Sequence, residues 1–560
     1  MINLIPKKTK ASNSLNKLIA FIFIVFFGFM LLSVIWGILI NYSPVPYMDD
    51  WDAIILSYLR IQMGEYSALW GQHNEHRLIF SKLFFWLDMR LFNGKMIIPL
   101  SSNIILSMGL VYCYKLVIGK LFSSENQYYF RIIITAFIGG IIFSWIQYEN
   151  FSWGINMAFF AGFLFPFISF ILLAFSKIKN STFLLYLALF FGIISLGVMS
   201  NGLLALPLFV IMAFILKSGK LHVFISLSIA ILLAFLYFNN YHFPTYHSSV
   251  IESLFHNPLD YFIYFVSYLG SPAYYLSGNT CSYCAPIMGL LVFSISVYFI
   301  LKIFKPSSSQ NPILLVLIIF LLYLEGTAFI TSGGRLEFGL GQSLSSRYTT
   351  TSILIWSTIM ILSYYNFQNQ RIHQKWIIGL AILLAIFFAS FQIKVSTTPI
   401  NNPKQRKIAC LALEIGVRDE QNIKSIYPVV DHVIKIANKA RKENLSYFGN
   451  KEISNAQNYL NKSIGNMFSS VTVGKINHTN IVTTDTNFAF VSGWVEYKDQ
   501  KKNPKSLFII NNENIIVGYA IIENPTVFSL QNWQSLSKLE FNGYILSTSI
   551  NTQFHFVGRP

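Results

Sequence analysis

Charged residues are scarce in this sequence of 560 amino acids. They make up 12% of the chain, whereas a soluble domain usually carries about 25%. Hydrophobic residues make up 54%. A chain with so little charge and so much apolar surface is not expected to be an ordinary soluble protein. The composition indicates a protein that folds in lipid.

Acidic residues are fewer than basic ones, 24 against 41, which gives a formal net charge of +17. Such a balance can indicate nucleic-acid binding. Here, however, the basic residues fall mostly in short gaps between apolar runs, the pattern of cytoplasmic loops in membrane proteins. We therefore expect a lipid bilayer, and no nucleic acid, among the partners.

Cysteine is rare as well, and four residues do not make a disulfide framework. Cys281 and Cys284 form a C-x-x-C motif, for which a local disulfide is one interpretation and a redox or metal role another. No second Cys or His pair has ligand spacing, so we assign no metal site.

Long apolar runs, in contrast, are abundant. Runs of about 17–25 residues are typical of membrane-crossing helices, and about eleven occur, which predicts an α-helical polytopic membrane protein. The first follows a basic leader and lacks a small-residue cleavage site, so we expect it to remain as an anchor. The predicted spans lie near 18–41, 96–118, 129–147, 153–176, 182–200, 203–217, 221–240, 286–304, 312–331, 347–366 and 376–394.

The gaps between these runs predict the orientation. If the N-terminus is cytoplasmic, each of the five inner loops contains Lys or Arg, as the positive-inside rule requires. The long loops 42–95 and 241–285 then face outward. After an odd number of spans, the C-terminus also lies outside.

The composition changes near residue 396, which divides the chain into a membrane domain, 1–395, and a soluble domain, 396–560. Residues 405–465 have a helical pattern. Residues 470–560 contain alternating stretches such as "NFAFVSGWVEY", which are typical of strands. We predict an α+β domain that ends in a β-sandwich.

The densest acidic cluster is "YMDDWDAI", residues 47–54, just after the first span. In a plain interpretation it is a solvated loop in which Asp52 caps a helix that begins at Ala53. That accounts for one carboxylate and leaves Asp49 and Asp50 unexplained. An enzyme that deprotonates a hydroxyl needs a carboxylate of this kind.

The segment "GQHNEHRLIF" follows about twenty residues later and contains His73, Glu75, His76 and Arg77. On a helix, His73 would share a face with His76 and Arg77. Three interpretations remain open: a metal site that includes an Asp, a polar juxtamembrane face, and contact with phosphate or sugar.

Three further outside turns are polar, and each has a plain-turn interpretation. A carboxylate beside aromatic rings suits sugar binding. Arginines at the outer end of a span either snorkel to the interface or bind a phosphate in bidentate fashion. The candidates are Glu149, Asn150 and Trp153 in "QYENFSWG", Asn201 in "MSNGLLALP", and Arg335, Arg347 and Tyr348 in the loop 332–352.

Together these residues resemble a known family. The motifs "DDWD", "HNEHR", "QYENFSWG", "SNGLLALP" and "SSRYT", with the long first span and about eleven spans, resemble the GT-C glycosyltransferases. The resemblance is to the bacterial branch that includes enzymes decorating O-antigen with glucose. It covers about residues 18–395, and the C-terminal domain matches in position only.

The resemblance implies a transfer of sugar from a polyprenyl phosphate to a cell-surface glycan. The site would lie on the periplasmic face of the inner membrane, where the C-terminal domain also would lie. Asp49 or Asp50 would be the base, and Arg347 would contact the lipid phosphate. A divalent cation such as Mg²⁺ or Mn²⁺ is left open. The alternatives are an O-antigen polymerase or ligase, and a transporter or flippase for lipid-linked sugar.

Overall fold

The computed structural model describes residues 10–243, 249–304, 311–367, 370–395, 402–465, 471–496, 504–523 and 538–559. Most of these residues are helical. The helices up to residue 238 are α1 (Lys10–Asn41), α2 (Ser57–Gln62), α3 (Ser67–Trp70), α4 (Ile79–Phe92), α5 (Ile97–Leu121), α6 (Tyr128–Ile142), α7 (Tyr148–Ser152), α8 (Met157–Lys179), α9 (Thr182–Leu196), α10 (Ala205–Ile215) and α11 (Lys220–Phe238). Those that follow are α12 (Val250–His256), α13 (Pro258–Leu276), α14 (Cys284–Leu301), α15 (Pro312–Arg335), α16 (Thr349–Asn366), α17 (Arg371–Val395), α18 (Pro403–Ile415), α19 (Glu420–Ile423) and α20 (Val430–Lys442).

Eight helical segments of the described chain are long and apolar enough to cross a membrane, and each coincides with a predicted span. The other three predicted spans correspond to α9, α10 and α16. Helix α10 has 11 residues, about 17 Å at 1.5 Å per residue, and α16 opens on three threonines and a serine. The number eleven therefore stays a prediction. The eight segments are Ser14–Asn41, Ile97–Leu121, Glu125–Ser152, Gly154–Lys179, Lys220–Phe238, Cys284–Phe304, Pro312–Phe338 and Ile372–Ile393.

Internal contacts divide the chain into two compact units. Unit 1 comprises Met1–Ile40, Leu69–Leu83 and Pro99–Thr398, and unit 2 comprises Asn41–Ala68, Phe84–Ile98 and Pro399–Pro560. Most of the loop that follows the first span thus belongs with the C-terminal residues. The sequence-based division at residue 395 had grouped that loop with the membrane helices.

Helix α15 is central to the packing of unit 1. It is apolar around its whole circumference, and its residues from Ile313 to Leu324 are buried with the exception of Leu322. On α8, Phe167 stacks on Phe320 of α15 with ring centroids 4.0 Å apart. A buried helix of this kind fixes the helices around it.

Helices α13 and α14 pack with their backbones in contact. A Cβ atom on Gly270 would lie 1.9 Å from the carbonyl oxygen of Ala285, and one on Gly289 would lie 1.6 Å from that of Val266. Small residues that allow such close approach are common at helix interfaces in membranes. The α13–α14 pair therefore depends on these two glycines.

The C-terminal strands of unit 2 form a closed barrel, so the predicted β-sandwich is wrong. Strand β6 pairs with both β1 and β3, which joins the two edges that an open sheet would leave unpaired. Alternation of apolar residues is the same in a sandwich and a barrel, so the sequence could not separate them. The strands are β1 (Val471–Ile481), β2 (Phe488–Glu496), β3 (Ser506–Ile510), β4 (Ile516–Glu523), β5 (Lys538–Leu546) and β6 (His555–Arg559), in the antiparallel order β1-β2-β5-β4-β3-β6.

The helical prediction for residues 405–465 is confirmed in part, because α18, α19 and α20 account for much of it. The Asn402 side chain accepts the N–H of Gln405 at the start of α18. Gly416 ends that helix at φ 82°, a left-handed conformation that favours glycine. Helix α20 buries Val433, Ile436 and Ala437 on one face, as its amphipathic sequence indicates.

Candidate active site

The acidic loop, residues 47–52, is held by the C-terminal residues of unit 2. The N–H of Met48 donates to the carbonyl of Ile426 at 2.7 Å. The Trp51 side chain is fully buried, and its ring centroid lies 6.4 Å from that of Phe448. The loop is therefore fixed by both hydrogen bonds and packing.

The helix after this loop begins earlier than the sequence predicts. A π-helix starts at Trp51 and runs to Leu56, so Asp52 lies inside the first turn instead of capping it. Asp50 stands at the cap position but makes no side-chain hydrogen bond to the helix. The predicted N-cap role of Asp52 is wrong, because its carboxylate has other partners.

The carboxylate of Asp52 binds two residues from the C-terminal part of unit 2. Its Oδ2 accepts the Tyr427 hydroxyl, and its Oδ1 lies 2.7 Å from Nε2 of His432. Burial raises the pKa of Tyr427, and the neighbouring Asp52 carboxylate raises it further. Tyr427 thus stays a neutral donor, and both oxygens of Asp52 are engaged.

Asp50 is a buried carboxylate that binds the backbone of its own loop. It is 3% exposed, and its Oδ2 accepts the N–H of Tyr47 at 3.0 Å. The Arg406 guanidinium stacks on the Tyr47 ring at 3.7 Å. Burial lowers the pKa of Arg406, and the negative charge of Asp50 acts in the opposite direction. These contacts give Asp50 a structural role in shaping the loop.

Asp49 is the remaining acid of the cluster. Its residue is partly exposed, and its backbone carbonyl accepts the N–H of Ala53 at 2.8 Å. That hydrogen bond fixes the backbone of Asp49 on the first helical turn. Asp49 and Asp52 are both partly exposed, whereas Asp50 is buried, and the Asp52 carboxylate already contacts Tyr427 and His432.

The metal interpretations receive no geometric support from the described residues. Within them, no group of three or more His, Cys, Asp or Glu side chains is placed to hold an ion. In the acidic loop, both oxygens of Asp52 are engaged by Tyr427 and His432. The residues present do not fit a Mg²⁺ or Mn²⁺ ion bound by a D-x-D motif.

In unit 1, the "HNEHR" segment forms a tight turn ahead of a helix, so His73 does not share a helical face with His76 and Arg77. His73 and His76 exchange backbone hydrogen bonds of 2.8 and 2.9 Å. Asn74 occupies the turn at φ 48°, a left-handed conformation that Asn tolerates. Helix α4 begins only at Ile79.

Arg77 is buried, and its guanidinium serves the fold. Its three nitrogens donate to the carbonyls of Trp70, Tyr237 and Asn239 at 2.8–2.9 Å. Two of these carbonyls belong to the C-terminal end of α11 and its cap, where a positive charge is favourable. These contacts account for Arg77 without a substrate.

Glu75 and His76 connect this turn to two other loops of unit 1. Glu75 forms an ion pair with Arg335, the last residue of α15. His76 Nδ1 lies 2.9 Å from the Ser200 hydroxyl, and its Nε2 lies 3.4 Å from Glu75 Oε1. The structure therefore brings together three of the predicted site residues with Ser200.

A second group of unit 1 surrounds Glu149. Its Oε2 accepts the Arg347 N–H and the Ser345 hydroxyl at 3.3 Å. The Asn150 side chain donates to the carbonyl of Arg347 at 2.8 Å and is fully buried. The Arg347 guanidinium lies over the Tyr348 ring at 5.5 Å. Glu149 and Asn150 thus position the loop that carries Arg347.

Two other predicted site residues of unit 1 are Trp153 and Asn201. Trp153 is 8% exposed, which leaves little of its ring for stacking on a sugar. The Asn201 Oδ1 atom is buried and has no hydrogen-bond partner among the described residues.

Sequence reasoning missed Ser200 as a partner of His76, and it missed Tyr427, His432 and Arg406 altogether. The last three are hundreds of residues from the acidic loop, and no local pattern connects them to it. A signal did exist for Ser200, which begins the polar "SNG" turn between apolar runs. The predicted convergence of all these groups on one outside surface stays a prediction.

No protein-family model, no curated protein and no solved structure matches this chain.

Proposed function

We propose that the protein is a membrane glycosyltransferase of the GT-C type with about eleven spans. It moves a sugar from a polyprenyl phosphate to a cell-surface glycan such as O-antigen, on the periplasmic side of a bacterial inner membrane. The observation that carries the proposal is Asp49, a partly exposed acidic residue whose backbone carbonyl is fixed by the N–H of Ala53. Such a group suits a general base.

In the proposed reaction, Asp49 accepts the proton of the acceptor hydroxyl. The hydroxyl oxygen forms a bond to the anomeric carbon, and the bond from that carbon to the phosphate oxygen breaks. The leaving phosphate gains negative charge, which a positively charged group stabilises. The resemblance assigns contact with the lipid phosphate to Arg347. Asp50 and Asp52 keep the loop in shape, since both are engaged in its packing.

The Cys281–Cys284 disulfide supports the proposed orientation. Disulfides persist in oxidising compartments, which include the bacterial periplasm. The two cysteines lie in the loop 241–285, which the distribution of Lys and Arg also assigns to the outside. Two independent chemical signals therefore agree on this loop.

The direct test is mass spectrometry of the surface glycan from cells with and without the protein. We expect a single added sugar that disappears when the gene is deleted and returns with the intact chain. Loss of whole repeat units instead would favour a polymerase or ligase. A glycan that is identical in both strains would contradict the proposal.

The proposed phosphate contact predicts the effect of Arg347→Ala. A charge-assisted hydrogen bond contributes about 1.5–3 kcal/mol, so donor affinity should fall by roughly 10- to 100-fold. Arg347→Lys should recover only part of it, because a point charge replaces a planar fork. Binding of a polyprenyl-phosphate sugar to purified protein measures this, with Arg131→Ala as control. Unchanged donor affinity would remove Arg347 from the site.

A transporter or flippase for lipid-linked sugar is the second candidate, and Glu325 favours it. Glu325 is at the middle of the candidate span Pro312–Phe338 and is 6% exposed. Neither carboxyl oxygen makes a hydrogen bond of ordinary geometry within the described residues. Ionisable groups inside spans often mark transport routes. Lipid-linked sugar flipping in vesicles that is lost in Glu325→Gln would favour transport over transfer.

A further inference from the structure

Ser200, His76 and Glu75 form a hydroxyl–imidazole–carboxylate chain in unit 1. The Ser200 Oγ atom lies 2.9 Å from His76 Nδ1. On the other side of the ring, His76 Nε2 lies 3.4 Å from Glu75 Oε1. This is the order of groups that activates a serine nucleophile in unrelated enzymes.

The backbone of Ser200 fixes the tautomer of His76. Its N–H donates to Nδ1 at 3.1 Å, so Nδ1 must carry a lone pair. The proton of the neutral ring is then on Nε2, which faces Glu75. The Ser200 hydroxyl lies 2.9 Å from the same nitrogen, so the hydroxyl and the backbone N–H share the one lone pair of Nδ1.

Glu75, the carboxylate of this group of three side chains, is also held in place. Glu75 is paired with Arg335, and its backbone carbonyl accepts the Tyr237 and Tyr241 hydroxyls at 3.0 and 3.3 Å. The side chain of His76 is 18% exposed, and Ser200 is partly exposed. The three residues are thus held by several contacts and are still partly exposed.

We propose that Ser200 is a nucleophile that takes an acyl group from an activated ester and passes it to a hydroxyl acceptor. Its Oγ forms a bond to the acyl carbon, its proton moves to His76 Nδ1, and the bond from that carbon to the leaving oxygen or sulfur breaks. The proton then goes to the leaving group. The acceptor hydroxyl reverses these steps, with His76 as base, and Glu75 stabilises the imidazolium.

This activity is independent of the proposed sugar transfer, and a fluorophosphonate probe tests it directly. Ser200 Oγ would bond to phosphorus, and the phosphorus–fluorine bond would break with release of fluoride. We expect purified full-length protein in detergent to be labelled on the peptide that contains Ser200. Peptide mass spectrometry identifies the site in the unaltered chain, so this result needs no variant.

Variants then test whether His76 and Glu75 activate Ser200 or whether the probe reacts with this serine without their help. Ser200→Ala should remove the label, and His76→Asn should slow labelling by about 100-fold or more. Glu75→Gln should slow it less and shift its pH profile. Ser195→Ala is the matched control, because that hydroxyl is buried and bonded to the carbonyl of Phe191. Absence of label from the unaltered protein, or labelling that is unchanged in His76→Asn, would overturn the proposal.

Discussion

Asp49→Asn is expected to lower sugar transfer by about 10²- to 10⁴-fold, the usual cost of removing a positioned general base. Asparagine keeps the size of the side chain and cannot accept the proton. The backbone hydrogen bond from Ala53 to Asp49 is unaffected, so the loop should keep its shape. The measurement is the rate of sugar transfer by purified protein in lipid, together with the glycan profile of cells.

The other two acids of the loop provide the comparison. Asp52→Asn should weaken its contact with His432 and reduce transfer only modestly. Asp50→Asn should mainly reduce stability, because it removes the charge that faces Arg406. Asp431→Asn changes an exposed acid of unit 2 and should have no effect on transfer. If all three loop variants retain full transfer, the base must be sought at Glu75 or Glu149.

Gly289→Ala should have the largest effect on folding. The added Cβ atom would overlap the carbonyl of Val266, and a backbone atom cannot move aside as a flexible side chain can. Overpacking typically costs 1–3 kcal/mol, and this overlap should cost at least about 3 kcal/mol. We expect a sharp loss of monodisperse protein in detergent and a much lower thermal midpoint.

Gly28→Ala is the matched control for this prediction. Gly28 lies on α1, and no atom is within 4 Å of the position that its Cβ would take. Alanine also has the higher helix propensity, so this change should be neutral or slightly stabilising. A Gly289→Ala protein with the thermal midpoint of the unaltered chain would show that α13 and α14 do not require the close approach.

The sequence predicts the helices of this protein well because apolar runs depend on local composition alone. Their apolar runs directly predict helices α1, α5 and α15. Helix α10 is harder, because its apolar run, 203–217, is shorter than the roughly 20 residues that a membrane-crossing helix needs. The closure of the barrel depends on the pairing of β6 with β1 and β3. The alternation of apolar residues along a strand does not indicate which strand edges pair.

In the candidate site, too, the sequence indicates some residues but not the partners that their side chains contact. The acidic loop and the "HNEHR" turn stand out because polar residues are rare around them. Their partners do not stand out, because His432 and Arg406 lie in a polar segment where such residues are ordinary. The turn at Asn74 was missed for another reason, since i, i+3 and i, i+4 spacings also occur in tight turns.

The bond between Asp52 and Tyr427 has a consequence for how the protein is made. The two residues are 375 positions apart, and a ribosome adds roughly 5–20 residues per second, so about 20–75 s separate their synthesis. During that time Asp49, Asp50 and Asp52 are present without the residues that hold them. The acidic loop can therefore reach its final form only after all the later apolar helices have been synthesised. A chain interrupted before residue 427 would carry its acids in an unassembled loop.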